Sequence, residues 1–459
     1  MKRGSRTEKD YLGSKKIPSS AYYGVQTKRA LENFPISNLH LQKELVYAIT
    51  IIKKAAAITN KKNKRLEPKK ANAIVKACNE ILKGKFDSQF PIDVFQAGAG
   101  TSENMNINEV IANRALQILK KKKGSYNYLH PNDHVNLAQS TNDVFHSAIY
   151  ISAYTEIKNN LLPTLEHLEK ELNKKLKAFS KIKKSGRTHL MDAVPITLGQ
   201  EFSGYKDTIK QNKVKIKETS KELLNLNIGG TAIGTGINTT QFYQKNIVKE
   251  INKITKEKFK KAENLIEATQ NINPITNTGS SLKNLALNLI KIANDLRLLN
   301  SGPSSGLAEI SLPSVQPGSS IMPAKVNPVM AEMLDMVSFQ VLGNDTTINL
   351  CAQAGQLELN VMVPLAAYNL LHSIEILNNS IKIFTEKCVK GITANKKKTN
   401  YYLEKNPIIV TALTPHIGYE KAAQIAKEAY KKDKSIRELI IEKNLMDKKT
   451  LNKILNAEI

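Results

Sequence analysis

The sequence has few of the residues that mark extracellular, membrane-spanning or base-stacking proteins. Trp is absent from its 459 residues and aromatic residues make up only 6% of them, so a base-stacking surface is not indicated. Three cysteines, Cys78, Cys351 and Cys388, are too few and too far apart for a disulfide framework or a metal site, and we expect a reducing, cytoplasmic setting. No apolar run approaches the roughly 20 residues of a membrane-spanning helix, and no secretory signal is apparent.

Acidic residues are also scarce relative to basic ones. The chain has 41 Asp and Glu against 68 Lys and Arg, a formal net charge of +27. Such an excess is compatible with nucleic-acid binding. The lysines, however, are scattered along nearly every polar stretch and are not gathered into one stripe. We therefore expect a lysine-rich solvated surface, with no nucleic-acid and no membrane partner, and a nucleic-acid-binding protein remains the alternative.

Apolar residues recur at the three- and four-residue spacing that predicts amphipathic helices. Two stripes run from Leu161 to Phe179 and from Leu282 to Leu299, and a third long apolar segment covers about 329–390. Period-two alternation is rare, so strands should be few and short. We predict a mainly α fold, with a central bundle of long helices at 141–395 flanked by smaller N- and C-terminal helical domains at 1–140 and 396–459.

Five segments of small and polar residues interrupt these helical patterns. We predict them as loops, and they are Gly98–Asn104, Gln139–Asp143, Ser185–His189, Gly229–Gly236 and Gly318–Pro328. No full dinucleotide fingerprint follows a predicted strand, and no metal-ligand cluster is visible. Their Ser, Thr, Asn, His and Lys side chains are instead the donors that would hold a dicarboxylate and stabilise charge developing beside a carboxylate.

Taken together, these segments resemble the aspartase/fumarase superfamily along essentially the entire chain. The loop Gly318-Ser-Ser-Ile-Met-Pro-Ala-Lys-Val-Asn-Pro328 matches its signature, and Tyr22-Tyr-Gly-Val-Gln-Thr27 and Thr414-Pro-His-Ile-Gly-Tyr419 match its ends. The resemblance implies reversible elimination across a carbon–carbon bond of a small dicarboxylate. It also implies three domains, no organic cofactor or metal, and a homotetramer whose active sites are shared between subunits.

Within the superfamily, the loops resemble those of aspartate ammonia-lyases more than those of class II fumarases. Gly98-Ala-Gly-Thr-Ser102 and Gln139-Ser-Thr-Asn-Asp143 have the aspartase form, whereas Gly186-Arg-Thr-His-Leu190 is shared with fumarases. The resemblance thus favours deamination of L-aspartate to fumarate and ammonia. Hydration of fumarate to malate is the alternative, and an inactive scaffold is a further one.

The resemblance also assigns expected roles to individual residues. Ser319 matches the general base, which must be activated toward an alkoxide, and His189 matches an orienting residue able to relay a proton. Ser320 and Glu332 are supporting residues, Glu332 as a partner for His189. The substrate-binding residues implied by the resemblance are Thr101, Ser140 and Thr141 for one carboxylate, Thr188, Lys325 and Asn327 for the other, and Asn142 with His189 near the amino group.

Four positions depart from the family pattern. They are Ala97, His146, Met191 and Ser304. Because the donor and base positions are intact, we expect activity to survive these changes. His146 lies close in sequence to Ser140–Asn142 and is the departure expected to affect how that loop is held.

Overall fold

A computed structural model describes residues 4–457 of the chain, with side chains through Leu455. The chain is mainly helical, as predicted. Its α-helices, numbered in chain order, are α1 Val25–Asn33, α2 Lys43–Lys62, α3 Pro68–Ile81, α4 Thr101–Ile118, α5 Thr141–Glu156, α6 Leu162–Ala178, α7 Leu198–Thr219, α8 Gln241–Thr255, α9 Glu267–Gln270, α10 Asn273–Leu299, α11 Val329–Gln353, α12 Val363–Lys387, α13 Lys396–Lys405, α14 Thr414–Ile417, α15 Tyr419–Lys432, α16 Ile436–Glu442 and α17 Lys448–Ala457.

The strands are short and form two-stranded sheets only, within the described residues. They are β1 Ser5–Asp10, β2 Gly13–Pro18, β3 Lys183–Thr188, β4 Met191–Thr197, β5 Asn225–Leu226, β6 Lys260–Lys261, β7 Ile310–Ser311 and β8 Thr393–Ala394. The pairs β1–β2, β3–β4 and β7–β8 are antiparallel, and β5–β6 is parallel.

The helical periodicity read from the sequence corresponds to buried helix faces. In α10, Leu282, Leu285 and Leu289 are fully buried, and the stripe continues to Leu299. Burying a leucine side chain contributes roughly 1.5–3 kcal/mol, so each such stripe stabilises its helix far more than backbone propensity does. The segment predicted as one long apolar stretch at about 329–390 contains two helices, because residues 354–362 leave the helical path between α11 and α12.

The chain forms two compact units. The first contains the residues up to Leu162 together with Lys215–Asn284 and Gln340–Leu377, and in it α2 packs against α3, α5 and α8. The second contains Pro163–Val214, Leu285–Phe339 and the described residues from Asn378 onward. The predicted division at residues 140 and 395 stays a prediction. No helix among the described residues is long and apolar enough to cross a membrane.

The second unit contains an apolar core built by its C-terminal helices. Leu403, Leu413, Ile425, Leu439 and Leu451 are among its buried members. Ser435 begins α16 with a capping box, in which its side chain and that of Glu438 each accept a backbone N–H of the other, and such reciprocal caps fix where a helix starts.

Candidate active site

The segment Gly98–Asn104 is a tight turn that runs directly into α4. Gly98–Gly100 form a turn in which Ala99 has φ of 60°, and Thr101 is the first residue of the helix. Gly100 has φ of 81°, and a Cβ there would lie 2.3 Å from the Phe145 ring, so only glycine fits. The predicted loop is therefore half helix, and its Thr101 side chain is exposed at the helix N-terminus, where the helix dipole favours an anion.

Ser140, Thr141 and Asn142 occupy the start of α5. Ser140 is the N-cap, and it forms a capping box with Asp143. The loop predicted at Gln139–Asp143 thus ends in the first helical turn, because the Ser-x-x-Asp spacing satisfies the free backbone donors there. Asn142 Nδ2 donates to the Ala232 carbonyl oxygen over 2.7 Å, which ties this turn to the glycine-rich segment Gly229–Gly236.

The Asp143 carboxylate joins the start of α5 to the glycine-rich segment Gly229–Gly236 by accepting hydrogen bonds from both. Its Oδ1 accepts the Ser140 N–H at 2.9 Å. Its Oδ2 accepts the N–H groups of Gly229 at 2.9 Å and Thr231 at 3.0 Å. The carboxylate is fully buried, and burial raises its pKa to about 6, although the three backbone donors and the Lys53 charge oppose that rise. These bonds fix where the Ser140–Asn142 backbone lies.

Two other buried titratable groups lie near these helix starts. Glu103 follows Thr101 in α4, and burial raises its pKa to about 8. His146 is one turn after Asn142 in α5, and burial lowers its pKa to about 4. Neither ring nitrogen of His146 has a hydrogen-bond partner. Both groups are therefore mainly uncharged at neutral pH. Neither one adds a charge near the starts of α4 and α5.

Thr188 and His189 lie at the tip of the β3–β4 hairpin, in the second unit. The predicted loop Ser185–His189 is wrong for most of its length, because 185–188 belong to β3. Thr188 pairs with Met191, leaving His189 and Leu190 as the two turn residues, with φ of 56° and 61°. Both angles are positive, as two-residue hairpin turns favour, and non-glycine residues there carry backbone strain. The tip side chains are exposed.

The hairpin is anchored through buried ion pairs. The fully buried Glu309 carboxylate forms an ion pair with Lys184 Nζ at 2.9 Å, and its Oε1 accepts a hydrogen bond from Arg187 Nη1 at 3.0 Å. Asn406 Nδ2 reaches Ser185 Oγ and the Ala193 carbonyl oxygen at 2.6 and 2.7 Å. Because the base of the hairpin is held from two sides, its strained tip is presented on a rigid support.

The loop Gly318–Pro328 is closed on itself by hydrogen bonds between its ends. The Gly318 N–H donates to the Lys325 carbonyl oxygen at 2.8 Å, and Asn327 Nδ2 donates to the Gly318 carbonyl oxygen at 2.7 Å. A Cβ at Gly318 would lie 2.7 Å from both Asn327 N and Lys325 O, so the closure requires glycine. Lys325 Nζ donates to Asn327 Oδ1 at 2.6 Å, which places an ammonium and an amide side by side on an exposed edge.

Ser319 lies inside this closed loop with its oxygen held by two backbone donors. The N–H groups of Ile321 and Met322 donate to Ser319 Oγ at 3.2 and 2.9 Å. Donors aimed at an oxygen favour its anionic form. Ser320 is exposed, and Glu332 lies half-buried in the first turn of α11. The Ser319 hydroxyl is thus held in a local turn by the N–H groups two and three residues further on.

The predicted residues are divided between the two units. Thr101 and Ser140–Asn142 lie in the first unit; Thr188, His189, Ser319, Ser320, Lys325, Asn327 and Glu332 lie in the second. Among the described residues, no hydrogen bond joins the hairpin tip to the loop Gly318–Pro328. No group of three or more His, Cys, Asp or Glu side chains in the described part of the chain is arranged to hold a metal ion.

The sequence analysis did not identify the residues that hold Ser140 and Thr141 by hydrogen bonds. Asp143 carries the Ser-x-x-Asp capping signal, which predicts its bond to the Ser140 N–H. Lys53 and the amides of Asn104 and Asn136 form a partly buried network that ends on Thr141. A signal for Lys53 exists in its four-residue spacing from Ile49 and Ala57, which places a lysine inside an apolar stripe.

The sequence and fold match known lyases along nearly their entire length. Residues 13–343 match a family model described as Lyase, and 409–459 match one described as Fumarase C C-terminus. The chain is 50% identical to an aspartate ammonia-lyase of Bacillus subtilis over 451 residues, covering 98% of this chain and 95% of that protein. It is 46% identical to a class II fumarate hydratase of Neisseria meningitidis over 442 residues, covering 96% of each.

A solved structure shares the fold. The class II fumarase of Schistosoma mansoni superposes with a TM-score of 0.95 at 40% identity, covering 98% of both chains. The motifs, the helical architecture and these similarities agree. The chain therefore belongs to the aspartase/fumarase superfamily and is a lyase.

Proposed function

We propose that the protein is an aspartate ammonia-lyase, which converts L-aspartate reversibly to fumarate and ammonia. The observation that carries the elimination chemistry is the Ser319 oxygen, held by two backbone N–H groups in a loop that also presents Lys325 and Asn327. The choice of ammonia as leaving group is supported by the Thr101–Ser102 and Thr141 forms of the other motifs and by the 50% identity to an aspartate ammonia-lyase.

Ser319, as an alkoxide, takes a proton from the carbon next to the one bearing the ammonium. The electron pair of that C–H bond passes into the adjoining carboxylate, which becomes enediolate-like. The pair then returns to form the carbon–carbon double bond of fumarate, and the C–N bond breaks with its electrons on nitrogen. Ammonia leaves as a neutral molecule from an already protonated amine, so no separate strong acid is required.

Thr101, Ser140 and Thr141 hold the carboxylate on which charge develops. Thr101 and Thr141 each occupy the first turn of a helix, where hydroxyl donors, backbone N–H groups and the helix dipole all favour added negative charge. Neutral donors suit this role, because they bind the ground-state carboxylate moderately and the enediolate more strongly.

Thr188, Lys325 and Asn327 hold the second carboxylate, while Asn142 and His189 face the amino group. Lys325 contributes a full charge, and the Asn327 amide that accepts from it fixes its direction. The proposal also includes a homotetramer whose active sites combine loops from different subunits, as the resemblance to the superfamily implies.

Exposed apolar residues on the long helices support that assembly. Met336, Phe339 and Leu350 on α11 are each more than half exposed. Large apolar side chains exposed along one helix mark a surface for association. Covering them with further copies of α10–α12 would complete the helical bundle. The proposal places the enzyme in the cytoplasm and requires no cofactor.

A class II fumarase is the second candidate. It is favoured by the 46% identity to the Neisseria enzyme and by the fold shared with the Schistosoma fumarase. In this candidate function, Glu332 is the proposed partner of a proton-relaying His189. A fumarase must protonate a departing hydroxyl group, so it depends more on such a relay than an ammonia-lyase does.

The test of the base assignment compares Ser319→Ala with Ser320→Ala. Fumarate formed from aspartate is followed by its ultraviolet absorbance. Ser319→Ala should lower kcat by at least about a hundredfold, the scale of a positioned base, whereas the exposed neighbour Ser320 should tolerate alanine with a much smaller loss. Circular dichroism and size-exclusion chromatography check that both variants keep the fold and the assembly. A Ser319→Ala enzyme with near-normal turnover would show that another group takes the proton.

A further inference from the structure

Lys53 is a lysine without access to solvent. Its side chain is fully buried in the middle of α2 and is among the largest such side chains in the protein. Lysines are almost never fully buried unless a polar partner holds them. Burial lowers the pKa of its amine to about 7, against the opposing charge of Asp143. Such an amine must be held by polar partners inside the protein.

The amine begins a chain of hydrogen bonds that leads to α5. Lys53 Nζ donates to Asn136 Oδ1 at 2.7 Å. The same oxygen accepts from Asn104 Nδ2 at 3.4 Å and Asn108 Nδ2 at 3.3 Å. Asn104 Nδ2 also donates to Thr141 Oγ1 at 3.0 Å. All these residues belong to the first unit, and three different helices and the segment before α5 supply them.

The last bond of the chain determines what the Thr141 hydroxyl can do. A hydroxyl has one proton to donate and two lone pairs to accept with. Because Asn104 already donates to Thr141 Oγ1, the hydroxyl proton is free to point away from that amide. In the proposed function, that proton is the one given to the substrate carboxylate. The amide of Asn104 therefore fixes the direction in which Thr141 donates.

Asn136 connects this amide to the lysine and to the backbone. Its Nδ2 donates to the Gln139 carbonyl oxygen at 3.2 Å, directly before Ser140. Without the amine, the Asn136 oxygen would face only the two longer amide contacts, and the direction of the Asn136 side chain would no longer be fixed by a strong donor.

We propose that Lys53 is a positioning residue that acts through Asn136 and Asn104 to hold the Thr141 hydroxyl in donor orientation toward the substrate carboxylate. The inference rests on the proposed function, in which Thr141 binds that carboxylate. Lys53 itself touches no substrate. Its effect is greatest when charge develops on the carboxylate, since a correctly aimed donor gains most at that point.

The test uses Lys53→Met, which keeps the length of the side chain and removes its N–H groups. Thr141 is one of several donors to the carboxylate, and in this variant it loses its orientation but is not removed. We therefore expect kcat to fall about tenfold, less than if the donor were removed outright. KM should change less than about threefold. Lys54→Met is the matched control, because Lys54 is the next residue of α2 and is partly exposed. It should stay within about twofold of the wild type, as surface substitutions usually do. A Lys53→Met enzyme with wild-type kcat overturns the proposal.

Asn104→Leu tests the same relay from its other end and does not depend on how Lys53→Met folds. It removes the amide that bonds Thr141 while preserving shape, and it should lower kcat by a similar factor. If Lys53 acts through Asn104, the double variant is no slower than the slower single variant. Multiplied effects in the double variant, or a normal kcat in Asn104→Leu, would overturn the proposal. A purely structural role predicts lower thermal stability with no such coupling.

Every variant is measured with aspartate and with malate, so that the two proposals fail separately. Wild-type turnover of aspartate with no effect at Lys53 refutes only the relay. Wild-type turnover of malate alone refutes the aspartase proposal, and the relay is then judged by kcat on malate, which presents the same carboxylate. If the wild type turns over neither substrate, both proposals are wrong.

Discussion

Replacing Asp143 by asparagine should damage activity far more than stability. The carboxylate accepts three backbone N–H groups, from Ser140, Gly229 and Thr231. An asparagine oxygen in place of Oδ2 would keep the bonds to Gly229 and Thr231 as weaker, neutral ones. Its amide nitrogen would then face the Ser140 N–H, a donor against a donor. The start of α5 loses its anchor while the fold keeps most of its contacts.

The magnitude follows from two opposing terms. The rise of the Asp143 pKa from 3.8 to about 6 is the net of burial, which raises it, and of the three backbone bonds and the Lys53 charge, which lower it. Burying the charged carboxylate therefore opposes folding even with those bonds made, and asparagine removes that charge. Against this, asparagine leaves the Ser140 N–H without an acceptor, which costs about 1–3 kcal/mol. The net change in stability at neutral pH should therefore be no more than about 2 kcal/mol.

Activity has no such compensation. Moving Ser140 and Thr141 by about 1 Å can lower the rate a hundredfold, and we expect kcat/KM to fall on that scale. Steady-state kinetics and urea unfolding measure the two effects side by side. The matched control is Asp207→Asn, which changes an exposed carboxylate on α7 that forms an ion pair with its neighbour Lys206. If Asp143→Asn kept kcat/KM within threefold of the wild type, Asp143 would not be needed to position Ser140 and Thr141 for catalysis.

Three further predictions concern the same region and the signature loop. The buried His146 has its pKa lowered to about 4, below its unfolded value of about 6.5, so the unfolded chain takes up the proton first and stability is lost as pH falls from 6.5 toward 4. His146→Leu should reduce the difference between the urea midpoints at pH 7 and pH 5, and an undiminished difference would contradict this. Thr141→Val removes a proposed donor to the developing charge and should lower kcat about a hundredfold; an unchanged kcat in steady-state assays would remove Thr141 from the site. Lys325→Met removes a full positive charge and should raise KM for aspartate strongly while the thermal midpoint stays near that of the wild type, since Lys325 is exposed. A KM within twofold of the wild type would count against its role.

The helices could be predicted from the sequence because their burial is periodic. The leucine stripes ending at Phe179 and Leu299 coincide with α6 and α10, and their inner faces are buried. Hydrophobic period is a local property, so it survives without knowledge of the fold. The boundaries were less predictable, since Thr101 and Thr141 begin helices inside segments predicted as loops. The turn at Gly100 sets where α4 begins, and the capping box of Ser140 and Asp143 sets where α5 begins.

The hairpin β3–β4 could not be predicted from its residues. Its strand Lys183–Thr188 lacks clear alternation, and its turn residues, His189 and Leu190, have positive φ without glycine or asparagine. The hairpin forms because long-range partners hold it, above all Glu309 beneath Lys184 and Arg187. Tertiary contacts of this kind override local preference.

The candidate residues were identified by resemblance, while the groups that support them became visible only in three dimensions. Lys53 lies about ninety positions before Thr141 in the sequence, and nothing local relates the two. Their connection depends on Asn104 and Asn136 being brought together by helix packing. Buried polar networks are long-range by nature, and a single sequence contains no spacing rule for them.

The most direct test of the account is the choice between two substrates. Purified protein is given L-aspartate and L-malate in parallel, and fumarate formation is followed by its ultraviolet absorbance. The account predicts fumarate from aspartate with equimolar release of ammonia, and a kcat/KM for malate that is lower by orders of magnitude. Efficient turnover of malate with none of aspartate would contradict the proposed activity and assign the protein to the fumarases of the same superfamily.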